Sequence, residues 1–265
     1  MELEFFKYQA TGNDFIIIKE NPQIPGSLSS LAERLCDRHF GIGADGLIII
    51  SDHPGNDFRM VFLNPDGTQG SFCGNGGRCA VMFYDIMSEG NGDYRFLAID
   101  GEHSGKVLER NGDEYNVEIS IQDVCLSSMT QYGEGSYIDT GAPHLVVIIE
   151  DIESIDVPAR ARPLRYSKKF LPEGINVNFV EKKDPWLKIR TYEKGVENET
   201  LSCGTGVTAS ALVFATNETD KEQEVPVESR GGRLRVKYVR KNDRFADIRL
   251  TGPASSSFKG IINLK

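Results

Sequence analysis

The chain has 265 residues, 39% of them hydrophobic and 26% charged, with a formal net charge of -9. That length allows one large domain or two of ordinary size, and the acidic balance argues against nucleic acid or an anionic membrane, which would need a basic surface to release counterions. No apolar run approaches the length of a membrane span, and Met1-Glu2-Leu3-Glu4-Phe5-Phe6 lacks the basic start and small-residue cleavage site of a secretory leader, so a cytoplasmic protein with small-molecule ligands is expected.

Residues 5–18 read as two short extended runs broken by Ala10-Thr11-Gly12-Asn13-Asp14, a turn-rich insert that can place side chains in a cleft. Residues 29–39 read as a helix opened by serine caps and apolar at Leu31 and Leu35. Strands are expected at 47–50, 58–62 and 94–99, with a buried helix at 76–87 between the last two. The second half repeats this grammar with strands at 145–149, 177–180 and 187–192, a helix at about 206–215, and strands near 233–239 and 246–250. The helices at 76–87 and 206–215 are apolar around most of their circumference and must be surrounded. The expected fold is α+β: two pseudo-symmetric domains, each a curled, mostly antiparallel sheet around one central helix. The expected boundaries are 1–124 with 253–265 for the first and 125–252 for the second, the chain end returning to complete the first sheet.

Landmarks recur in register across the halves. Phe72-Cys73-Gly74-Asn75-Gly76-Gly77 and Ser202-Cys203-Gly204-Thr205-Gly206-Val207 stand 130 residues apart. Gly12 precedes Cys73 by 61 residues and Gly141 precedes Cys203 by 62, while Gly101 and Gly231 each follow their cysteine by 28. Such a series indicates an internal duplication.

The five cysteines, with no Cys-x-x-Cys, do not form a disulfide framework, and His39, His53, His103 and His144 show no metal-ligand spacing, so no metal is expected. Cys36, Cys79 and Cys125 read as small buried hydrophobes. Cys73 and Cys203 differ, because each precedes a helix whose positive end favours a thiolate and whose first-turn amides, freed by glycines, can bind a carboxylate. Two such sites suit racemisation: one thiolate removes the proton beside a carboxylate, the other thiol delivers one to the opposite face, and the amides stabilise the developing charge. A redox pair is the alternative reading of two facing thiols.

These motifs, with Thr11-Gly12-Asn13-Asp14-Phe15, Gly41-Ile42-Gly43-Ala44-Asp45-Gly46, Asn64-Pro65-Asp66-Gly67, Gly141-Ala142-Pro143-His144, Asn176-Val177-Asn178, Tyr192-Glu193-Lys194-Gly195 and Glu199-Thr200-Leu201-Ser202, resemble the diaminopimelate epimerase family nearly end to end. The resemblance implies a cofactor-independent isomerase that converts LL-diaminopimelate to the meso form in lysine and peptidoglycan precursor synthesis. It implies Cys73 and Cys203 as the acid/base pair, with His144 and Glu193 supporting proton transfer. It further implies that Gly74, Asn75, Gly204 and Thr205 hold the reacting carboxylate and that Asn13, Asn64, Asn176, Glu193 and Lys194 contact substrate. A homodimer is also implied. Ala142, Lys194 and Gly46 depart from the expected pattern: Lys194 keeps the charge of the usual arginine without its bidentate fork, and Ala142 donates nothing. A racemase of another amino acid, of the histidine or proline type, and a catalytically inactive amino-acid-binding protein are the alternatives.

Overall fold

The computed structural model describes residues 1–215 and 219–264. It divides into two compact units, Met1–Ile119 with Gly252–Lys265 and Ser120–Thr251. Among the described residues, no helix is long and apolar enough to cross a membrane.

The first unit contains β1 (Glu2–Ala10), β2 (Asn13–Lys19), α1 (Leu28–Cys36), β3 (Gly46–His53), β4 (Asn56–Leu63), α2 (Gly74–Ser88), β5 (Asp93–Ala98), β6 (Gly101–Asn111) and β7 (Glu114–Ser120), the last ending one residue beyond the unit's first segment. Strand pairing runs β1–β2 antiparallel, β2–β3 parallel, β3–β4 antiparallel, β4–β5 parallel, then β5–β6 and β6–β7 antiparallel. Residues 15–18 and 47–50 are all buried, because the sheet is covered on both faces and its central strands lose the usual polar alternation. Ile16, Ile18, Leu47 and Ile49 pack with Leu31 and Leu35 of α1. The intervening Ile48 lies against Gly76 of α2, whose residues 74–83 are all buried. Ser27 caps α1 by accepting from the Ser30 amide, and the Asp37 carboxylate that follows accepts from the His39 and Phe40 amides, which ends the helix.

The second unit holds β8 (Val124–Cys125), β9 (Thr130–Tyr132), β10 (Gly135–Asp139), β11 (Pro143–Ile148), α3 (Val157–Arg165), β12 (Asn176–Lys183), β13 (Trp186–Glu193), β14 (Asn198–Thr200), α4 (Gly204–Val213), β15 (Glu222–Ser229), β16 (Gly232–Arg240) and the first part of β17 (Arg244–Asn263). Its pairing follows the same series: β10–β11 antiparallel, β11–β12 parallel, β12–β13 antiparallel, β13–β15 parallel, then β15–β16 and β16–β17 antiparallel. Leu145, Val147, Val177 and Phe179 face Val157 and Ala161 of α3, while residues 204–212 of α4 are buried on the other face. The last part of β17 belongs to the first unit, where it pairs with β1 from Glu2↔Asn263 to Gln9↔Ser255 and with β7.

The α+β expectation, with a curled, mostly antiparallel sheet around a buried helix in each half, holds. Two details differ. α3 is absent from the sequence reading because Pro158 and Pro163 and its arginines mask a helix that Asp156 caps by accepting from the Ala159 amide and that buries only a narrow stripe. Cys125, read as a buried hydrophobe, is exposed: in the two-residue β8, Val124 points inward and Cys125 outward.

Candidate active site

In the first unit the β1–β2 turn sets the geometry. Thr11 and Gly12 both take positive φ, 50° and 84°, which turns the chain so that Asn13 opens β2 facing the start of α2. Cys73 is the N-cap of α2, and its Sγ accepts from the Gly76 amide at 3.4 Å. Asn13 Oδ1 lies 3.7 Å from that sulfur and accepts from Asn75 Nδ2 at 3.3 Å, while Asn13 Nδ2 donates to Asp45 Oδ2 at 2.8 Å. Asp45 and Asp14 both pair with Arg38, and Lys7 also reaches Asp14. Burial alone would raise Asp14, but the bonds from Arg38 and Lys7 hold it down to about 2. Cys73, Gly74, Asn75 and Asn13 are thus gathered at one place. Asn64 is bonded locally instead, donating to Thr68 Oγ1 at 3.0 Å while its main chain closes the turn that follows β4.

In the second unit Cys203 is the N-cap of α4, and its Sγ lies 3.4 Å from Thr205 Oγ1. That hydroxyl is 2.9 Å from His144 Nε2, and Asn178 Nδ2 donates to His144 Nδ1 at 3.0 Å. With Asn178 placed as donor, the imidazole hydrogen sits on Nε2 and is donated to Thr205, leaving the hydroxyl hydrogen for the sulfur. Asn178 is fixed in turn by Thr191 Oγ1, which donates to its Oδ1 at 2.9 Å. Burial pushes His144 down to about 3, so the ring is neutral and serves as an oriented donor at neutral pH. Strand alternation explains the placement, since His144, Val146, Asn176 and Asn178 share the face of β11 and β12 opposite α3.

Asn176 links two neighbouring segments: its Nδ2 donates to Pro143 O at 3.0 Å and its Oδ1 accepts from the Lys194 amide at 2.8 Å. Glu193, at the end of β13, accepts from Thr200 Oγ1 at 2.9 Å, and the Lys194 side chain is exposed. Gly204 and Thr205, like Gly74 and Asn75, lie in the first turn of their helix, where N–H groups have no intrahelical acceptor. Among the described residues no group of three or more His, Cys, Asp or Glu is arranged to hold a metal.

Sequence reasoning passed over Asn178, Thr191, Thr11 and Arg78. Asn178 carried a usable signal, because it stands two residues after Asn176 and therefore on the same strand face. Arg78 carried another, as the single cation in α2.

The family model described as "Diaminopimelate epimerase" matches residues 5–117 and 136–256. A diaminopimelate epimerase of Flavobacterium psychrophilum is 39% identical over 262 residues, covering 98% of this chain and 100% of that one, and one of Aquifex aeolicus is 38% identical, covering 97% of each. Among solved structures, a PhzF-family phenazine biosynthesis protein of Bacillus anthracis superposes with a TM-score of 0.74 at 15% identity, over 100% of both chains. A hydroxyproline epimerase of Agrobacterium vitis gives 0.70 at 14% identity, over 99% of this chain and 93% of that one. At those identities the likeness is one of fold.

Proposed function

This chain belongs to the diaminopimelate epimerase family, and from that premise we propose that Cys73 and Cys203 invert one α-carbon of diaminopimelate by a two-base thiol mechanism. The protein is an isomerase, and the names of its relatives favour diaminopimelate over histidine or proline as substrate. The observation that carries the mechanism is the repeated placement of a cysteine at the N-cap of a buried helix, once in each unit.

In this reading one sulfur, as thiolate, takes the α-proton, and the other, as thiol, protonates the carbon from the opposite face, so neither forms a bond to carbon. The first-turn amides around Gly74, Asn75, Gly204 and Thr205 would receive the α-carboxylate, whose charge grows as the proton leaves. The relay Asn178–His144–Thr205 would aim a hydroxyl at Cys203, and Asn13, held by Asp45, would orient Cys73. Asn64, Asn176, Glu193 and Lys194 are assigned to the rest of the substrate, Lys194 offering the distal carboxylate a single point charge. Each proton that leaves a carbon is replaced by one from sulfur, so no redox or carbonyl cofactor is needed. We infer a place in lysine and peptidoglycan precursor synthesis.

The test is α-proton exchange followed by NMR in heavy water with LL-diaminopimelate, meso-diaminopimelate, histidine and proline offered in parallel. Exchange with inversion confined to diaminopimelate is expected. Exchange on another amino acid would replace the substrate, and no exchange with reduced cysteines would make the chain a binding protein.

A further inference from the structure

Arg78 has no part in the reading above, yet its side chain is fully buried in the first turns of α2. Its guanidinium donates to Gly74 O at 3.2 Å, to Asn75 Oδ1 at 2.9 Å, to Thr11 Oγ1 at 3.4 Å and to Pro253 O at 3.4 Å. All four acceptors are neutral, and among the described residues no carboxylate pairs with it. Burial lowers its pKa to about 10, which still leaves it cationic at neutral pH. A buried charge without a counter-charge is costly by several kcal/mol, so an anion close by is stabilised in return. The two thiols beside it on the helix are Cys79, its neighbour in the chain, and Cys73, the N-cap that directly precedes Gly74, whose carbonyl the guanidinium bonds. Cys79 is fully enclosed and burial drives its thiol far above the usual range, so it stays neutral. Cys73 is only half-buried and accepts from the Gly76 amide; as a thiol it donates to Asn13 Oδ1 at 3.7 Å, a bond the thiolate gives up.

We propose that Arg78 is the fixed counter-charge that holds Cys73 as the thiolate in the substrate-free protein. In its catalytic meaning the proposal rests on the two-thiol reading, and it makes Cys73 the base that awaits substrate and Arg78 a positioning residue. Thr205, His144 and Asn178, which are bonded in series to Cys203, are uncharged, so the help this relay gives to a thiolate is that of a neutral donor.

The other charged groups around the start of α2 do not reverse this. From the side of β1 and β2, Asp14, Lys7, Arg38 and Asp45 form a balanced set of two cations and two carboxylates, and Asp45, which accepts from Asn13, is exposed and bonded to Arg38 at 2.8 Å. From β6, His103 stacks on Phe72 at 4.0 Å and pairs with Asp100. Asp85, Arg110 and Tyr94 satisfy one another toward the far end of the helix.

The experiment is iodoacetamide alkylation of the intact, substrate-free protein between pH 5 and 10, with the Cys73 and Cys203 peptides quantified by mass spectrometry. The rate for Cys73 is expected to reach half its maximum about one pH unit or more below that for Cys203. A midpoint for Cys73 equal to or above that of Cys203 overturns the proposal. Arg78→Met should raise the Cys73 midpoint by roughly one unit with Cys203 unmoved, and Arg78→Lys, which keeps the charge, should leave it low. An unchanged midpoint in Arg78→Met would make Arg78 a staple tying α2 to Thr11 and Pro253. If that variant does not fold, the wild-type comparison still decides. Alkylation needs no turnover, so failure here leaves the exchange experiment standing, and failure there leaves the midpoints intact.

Discussion

His144 is fully enclosed, and both ring nitrogens are committed to neutral partners, Thr205 and Asn178. A second proton would charge a ring cut off from bulk solvent and would set its Nδ1–H against the Asn178 amide hydrogens. The folded protein therefore resists protonation down to about 3, whereas an unfolded histidine protonates near 6.5. Above pH 6.5 neither state holds the extra proton and the group is silent. Below it the unfolded chain binds a proton that the folded one refuses, so stability falls as pH falls, by about 1.4 kcal/mol per unit until the folded pKa is reached. Asp14 and Glu197, both held down to about 2 in the fold, add their losses at lower pH, as their unfolded carboxyls titrate near 4. Between pH 6 and 5, the unfolding free energy of His144→Asn should thus decline less steeply than that of wild type, by about one proton equivalent; parallel slopes would refute the buried neutral ring. The thiols give a second prediction at this scale. Cys73→Ala and Cys203→Ala should each abolish epimerisation in the exchange assay, whereas Cys36→Ala should retain it, because burial pushes the Cys36 thiol up to about 12 and it packs in the core on the α1 face of the sheet. Loss of turnover in the Cys36 variant comparable to the other two would sink the assignment.

At the scale of the element, α2 and α4 each carry a glycine inside the first turns, where alanine would ordinarily favour the helix by about 1 kcal/mol. The surroundings decide differently in the two. A Cβ on Gly206 would fall 2.4 Å from Asn178 Oδ1 and 3.3 Å from His144 Cε1, two atoms locked in the relay. Gly206→Ala should therefore cost about 1–3 kcal/mol in urea unfolding and lower turnover as well. A Cβ on Gly76 would press on the ends of Met60 and Ile48, at 3.1 and 3.2 Å, side-chain tips that can shift, and would rest at an ordinary 3.5 Å from Cys73 Cβ. Gly76→Ala should stay within about 1 kcal/mol of wild type, and a reversed order of the two variants would show that the relay yields more easily than its hydrogen bonds suggest. This contrast also marks what a sequence can convey. The helix starts at Cys73 and Cys203 were legible because local chemistry makes them: glycines after a capping residue and an apolar run behind. The double-faced burial of β2 and β3 was legible in their apolar runs at 15–18 and 47–50. The positions of Asn178 and Arg78 were marked in the sequence but their roles were not, because a polar residue in an apolar segment acquires its meaning from partners 34 residues away at His144 and 67 residues away at Thr11. The helix α3 escaped because its residues 157–165 carry two prolines, and only packing on Leu145 and Val177 makes it a helix.

At the scale of the molecule, the duplication is closed by a strand that changes unit along its length. β17 pairs with β16 and β8 through its first residues, then with β7 and β1 through the rest. The first unit is thereby assembled from the two ends of the sequence: the Met1 amino group donates to Leu264 O at 2.9 Å, and Leu264 packs in one core with Leu3 and Phe5. Without residues 252–265, β1 would present an open edge along its length, Leu264 would be gone from the core and Leu3 and Phe5 would lose their partner there, each side chain worth about 1.5–3 kcal/mol when fully buried. That sum rivals the whole stability of an ordinary domain. A chain ending at Thr251 should consequently lose the first unit while keeping the second, whose portion of β17 remains paired with β16. In hydrogen exchange, amides of α2 and β1–β3 should lose protection and those of α4 and β11–β13 should keep it, with epimerisation abolished because the Cys73 helix no longer has a sheet to lie on. Protection retained throughout, with turnover intact, would mean that β1 to β7 fold without the returning strand and that the interleaved ends serve some purpose other than closing the first sheet.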